Sequence, residues 1–96
     1  MIPIPTAVDV PLRMDDGDVI RVGKTRVTLQ AVVADFHRGA SPEEIAHHYP
    51  ALNLSDVYVV IGYYLQNRAE VDAYVQHQRQ LAAEARRAYE TDLVSL

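Results

Sequence analysis

Few side chains in this 96-residue chain have the type and spacing for chemistry. His37, His47 and His48 are the densest cluster of possible metal ligands. A zinc site needs three or four ligands converging on one point, and adjacent helical residues such as His47 and His48 point about 100° apart. The favoured reading is that these histidines are solvated on helix surfaces. Gly23-Lys24-Thr25 has the ending of a phosphate loop. Five residues separate Gly17 from Gly23 where such a loop needs four, and a strand-like run follows where it needs a helix. No Ser-His-Asp order appears, nor a carboxylate pair in an apolar setting. Cysteine is absent, which removes thiolate ligands and thiol nucleophiles. The expectation is a protein without a catalytic site, a metal or a cofactor.

The net charge is −4, a balance opposed to tight sequence-independent binding of nucleic acid. Its distribution says more. Arg13, Arg21, Lys24 and Arg26 lie in the first third, whereas Arg38 is the single fixed cation from Asp35 to Asn67. Apolar residues make up 49%, enough for one small domain with its own core. The apolar runs are too short to span a bilayer, and Met1 to Val10 lacks the basic start of a signal peptide. Together with the missing cysteines this suggests a soluble, cytoplasmic protein.

The elements that must position these residues are legible in order. Residues 1–9, with Pro3 and Pro5, read as an extended arm. Pro11 to Met14 can pair with Val19 to Val22 across Asp15-Asp16-Gly17-Asp18, whose Asp-Gly step signals a turn. A second turn at Gly23-Lys24 leads into a possible third strand, Thr25 to Leu29. Thr28 is an N-cap for a helix from Leu29 to Arg38, with Leu29, Val32, Val33 and Phe36 inward and Gly39 as its stop. Ser41, Pro42 and Glu44 form a capping box with proline at the first helical position, and Pro50 limits that helix to about two turns. Asn53 or Ser55 caps the next, whose stripe is Val57, Val60, Ile61, Tyr64 and Leu65. Asn67 followed by Glu70 opens a last helix with Val71, Tyr74 and Val75 inward. The fold class is mainly α with a small N-terminal β-ribbon: a helix-turn-helix or winged-helix-like three-helix core plus a C-terminal helix. The expected division is arm 1–9, domain 10–75, and a helical or partly disordered tail 76–96.

Two surfaces could meet partners. Arg13, Arg21, Lys24 and Arg26 could form a basic face on the ribbon, and with Ser55 at a helix start they are the candidate DNA contacts. The competing reading is a solvated strand face whose charges blunt edge pairing. The helix from Ser55 lacks the side chains that usually read bases, so Tyr58, Val59 and Tyr63 are favoured as a protein-facing surface. Leu81, Tyr89, Leu93 and Leu96 on the tail could enter a partner's groove. A frayed end or a dimerisation helix is the plainer alternative.

The run from Asp18 to Leu29, then Gly39-Ala40-Ser41-Pro42-Glu43-Glu44-Ile45, Tyr49-Pro50-Ala51-Leu52 and Val57 to Leu65, resembles the family catalogued as domain of unknown function 433. That family's pattern is Ile-Arg, a Gly, and Thr-Arg-Ile/Val before the first helix, then Gly-x-Ser/Thr-Pro-Glu-Glu-Ile and Tyr-Pro-x-Leu. The resemblance covers roughly residues 12 to 75. It implies a helix-turn-helix homodimer and, for many members, a VapB-like antitoxin that inhibits a PIN-like ribonuclease toxin and represses its own operon through operator DNA. A stand-alone helix-turn-helix repressor and a structural adaptor that binds no DNA are the alternative functions.

Overall fold

The computed structural model describes residues 2–5 and 7–94, with side chains through Thr91. Strands β1 (Leu12–Met14) and β2 (Ile20–Val22) form an antiparallel pair in which Leu12 faces Val22, Arg13 faces Arg21 and Met14 faces Ile20. The hairpin lies where the sequence places it, but its loop is wider than an Asp-Gly step implies. Asp15 N–H donates to Val19 C=O at 2.9 Å and Asp18 N–H to Asp15 C=O at 3.1 Å, leaving a three-residue loop. Its left-handed residue is Asp18, with φ 60°, not Gly17. Aspartate tolerates that conformation better than most side chains.

The third strand does not form. Thr25 N–H and hydroxyl both donate to Val22 C=O, Val22 N–H donates to Val27 C=O, and only the isolated bridge Arg21–Thr28 extends the sheet. The loop closes too tightly for a strand because helix α1 (Leu29–His37) already begins after Thr28, whose hydroxyl accepts from Ala31 N–H at 3.0 Å. Gly39, at φ 92°, ends the helix in a conformation that favours glycine.

Helix α2 (Pro42–His48) carries the complete capping box: Glu44 N–H donates to Ser41 Oγ, and Ser41 N–H donates to Glu44 Oε1, each at 3.1 Å. Asn53 caps helix α3 (Leu54–Gln66), its Oδ1 accepting from Asp56 N–H at 2.8 Å, so of the two candidates Ser55 is not the cap. Helices α1, α2 and α3 pack on one another, and β2 packs on α1. Val22, Leu29, Val32, Val33, Ile45, Leu52, Val57, Val60, Ile61 and Tyr64 are buried between them. Burying an aliphatic side chain of this size contributes about 1.5–3 kcal/mol. Two expected core members depart from the stripe: Phe36 is half-buried, and Leu65 is 49% exposed because it falls at the boundary of α3's buried arc.

The chain divides into two compact units, Met1–Gln66 and Asn67–Leu96, and helix α4 (Arg68–Val94) belongs to the second. Val71 and Val75 are buried and Tyr74 is half-buried, whereas from Gln76 to Thr91 no residue is buried. The chain is therefore mainly helical, with a small two-stranded N-terminal sheet. None of the described helices is long and apolar enough to cross a membrane.

Candidate functional site

The ribbon cations divide into two kinds. Arg13 donates from Nε to Gly23 C=O at 2.7 Å and from a terminal nitrogen to Thr25 C=O at 3.0 Å. Arg21 donates to Arg26 C=O at 2.6 Å and to Asp15 Oδ2 at 2.8 Å. Both guanidiniums thus clamp the loop that follows β2, a use the bare sequence does not reveal. Asp15 in turn accepts from Gly17 and Val19 N–H, and the Arg21 hydrogen bond, ahead of those two amides, holds its carboxyl below the usual range. Asp15 is thus a structural acceptor at the base of the hairpin loop. Lys24 and Arg26 are exposed, and their side chains make no hydrogen bond or ion pair among the described residues. Ser55 is exposed at the start of α3 and donates to Asn53 Oδ1 at 2.9 Å.

The outer face of α3 is a largely uncharged surface. Leu54, Tyr58 and Leu65 are 43%, 50% and 49% exposed, with Gly62 exposed between them and Val59 and Tyr63 half-buried at the margin. Within this 13-residue helix only Asp56 bears a charge. A helix apolar on nearly every side is one that expects cover. Leu54, Gly62 and Leu65 belong to this surface although the sequence reading did not place them there; the scarcity of charge along the helix was the available signal. Part of the margin borders a groove of about 440 Å³ shared with Pro5, Ala7, Val8 and Val10 of the arm. The Tyr58 hydroxyl donates to a Glu43 carboxylate oxygen, tying α2 to α3; this bond lowers the Glu43 carboxyl and raises the Tyr58 phenol relative to their ordinary values.

On α4, Leu81 and Tyr89 are 46% and 65% exposed. The side chains of Leu93 and Leu96 lie outside the described residues.

Two of the three histidines are not simply solvated. Asp35, only 3% exposed, accepts from His48 Nδ1 at 2.7 Å and from the Arg38 guanidinium, joining the ends of α1 and α2. The His48 hydrogen bond, followed by that from Arg38, keeps its carboxyl below the usual carboxylate value despite burial. His37 Nε2 pairs with the hydroxyl of fully buried Tyr64 at 2.7 Å, and Phe36 stacks edge-on against both rings. These side chains satisfy buried polar atoms. Among the described residues no group of His, Asp or Glu could hold a metal ion.

The family model described as "Protein of unknown function (DUF433)" matches residues 19 to 64. Residues 19–64 carry the DUF433 pattern. This stretch contains β2, the clamped loop, α1, α2 and α3 as far as Tyr64, but neither Arg13 nor α4. A crystal structure of a DUF433 member protein from Anabaena variabilis ATCC 29413 is similar, with 27% identity and a TM-score of 0.58 over 70% of this chain and 69% of that one. No curated protein matches the chain. The resemblance to DUF433 that the motifs suggest is thereby shown, and that family's description carries no activity.

Proposed function

We propose that this chain is a protein-binding module without enzymatic activity, the antitoxin of a type II pair, which binds and inhibits a PIN-like ribonuclease toxin in the cytoplasm. The observation that carries the reading is the outer face of α3, where Leu54, Tyr58 and Leu65 stay exposed along a helix with a single charge. Apolar and aromatic surface of this kind is stabilised by protein cover and offers nothing to phosphate. Leu81 and Tyr89 add exposed apolar anchors on α4, a helix whose second half has too little buried area to be held by its own unit. In this reading the antitoxin is a homodimer.

A stand-alone DNA-binding repressor has less behind it. Arg13 and Arg21 are committed to backbone carbonyls, which leaves Lys24 and Arg26 as the free cations of that face. Two phosphate contacts supply little affinity at physiological salt.

The test is co-expression with the product of the adjacent gene. Co-purification, relief of growth arrest, and loss of both on Leu54→Glu with Leu65→Glu support the proposal. Those two side chains are exposed, so the paired substitution leaves the core packed. Absence of a complex together with absence of rescue sinks it.

A further inference from the structure

A different face carries an observation that partner binding by α3 does not use. Between the loop after β2 and the turn that joins α2 to α3 lies an open cleft of about 640 Å³, within the range of small-molecule sites. Its lining comprises Lys24 to Thr28 of that loop, Ala31 of α1, and Tyr49 and Ala51 of the turn. No acidic residue lines it, although the chain as a whole has a charge of −4. Its two cations are the ones of the ribbon whose side chains make no hydrogen bond or ion pair among the described residues. The loop bearing them is fixed by Arg13 on the carbonyls of Gly23 and Thr25 and by Arg21 on that of Arg26. The clamp therefore fixes the backbone that bears the pair ahead of any ligand, which lowers the ordering cost of binding.

We infer that this cleft binds a nucleotide, free or as one unit of a single strand, with its phosphate between Lys24 and Arg26 and its base against Tyr49. The charge pattern asks for an anion, and the apolar lining asks for a body that is flat and largely uncharged. A phosphorylated base supplies both, since stacking on an aromatic ring is tolerant of base identity. In a duplex the bases already stack on one another and cannot reach Tyr49. The assignment does not rest on the antitoxin reading, because the cleft shares no residue with the outer face of α3.

Amide chemical shifts of the isotope-labelled full chain test it, with AMP, a single-stranded oligoadenylate, the corresponding duplex and inorganic phosphate as probes. AMP is expected to shift Lys24 to Thr28, Ala31, Tyr49 and Ala51. Lys24→Ala with Arg26→Ala should weaken binding about tenfold or more. Tyr49→Leu should weaken it about fivefold or more, whereas Tyr49→Phe, which keeps the ring, should bind as the parent does. Tighter binding of oligoadenylate than of AMP makes a strand the source; equal binding makes it the free nucleotide. The inference is overturned by unmoved resonances at millimolar AMP, by phosphate or duplex binding as tightly as AMP, or by indifference to the double substitution. Thermal melts of each variant separate lost binding from lost folding.

Discussion

An ionised carboxylate at 3% exposure loses most of its solvation, and Asp35 recovers it through His48 and Arg38. Because these partners depress its folded pKa, the stabilisation is fully present above the unfolded value of about 3.9 and fades as pH falls through the folded one. Asp15, Glu43 and Glu44 shift in the same direction, so the native state should lose stability in acid. Asp35→Asn is expected to cost about 1.5–3 kcal/mol at pH 7, the range for hydrogen bonds to a charged group. Circular-dichroism melts at pH 7 and pH 3 check this: the gap between parent and variant should narrow in acid, and an unchanged gap would exclude the charge as its source. The ribbon offers a second contrast. Arg21→Ala breaks the clamp on Asp15 and Arg26 and should destabilise by about 1–2 kcal/mol, while Lys24→Ala, at a side chain without partners, should stay within about 0.5 kcal/mol. Equal effects in a denaturant titration would contradict the division between clamping and free cations.

At the scale of elements, the Ser41 capping box ties one end of α2, and a helix of 7 residues has little intrinsic stability to replace it. Ser41→Ala should cost about 1 kcal/mol, read as a lower urea midpoint at constant slope. A midpoint unchanged within error would mean that packing of Ile45 alone holds the helix. Local signals of this kind are why so much of the fold could be read from the chain. The Thr28 and Ser41 caps, the Pro50 stop and the Val57, Val60, Ile61, Tyr64 stripe each act within a few residues. What escaped were contacts across longer separations. The Asp35–His48 bond spans 13 residues, and the clamp by Arg13 spans 10 and 12. The third strand failed for a local reason: the Thr28 cap, itself legible, starts α1 at Leu29 and overrides the alternation through Val27 and Leu29. For the candidate site, Tyr58 and Tyr63 were legible as off-stripe aromatics. Leu65 sat at the stripe's margin, where periodicity assigns a residue to either side.

For the molecule as a whole, the question is what α4 contributes. Its 27 residues extend about 40 Å at 1.5 Å per residue, yet burial ends at Val75. Removing residues 77–96 should therefore take away helix without taking away core. The expected result is a melting temperature within about 3 °C of the parent, as for a surface change of less than about 0.5 kcal/mol in a domain of this size. The far-UV helical signal should fall in the same sample. If the tail anchors a partner through Leu81 and Tyr89, the shortened chain should also lose co-purification while α1, α2 and α3 remain folded. A drop of more than about 8 °C would instead mean that the exposed half of α4 is covered in solution, by a second copy or by its own domain. Repeating the melt across a hundredfold range of protein concentration distinguishes these, because only association makes the midpoint depend on concentration.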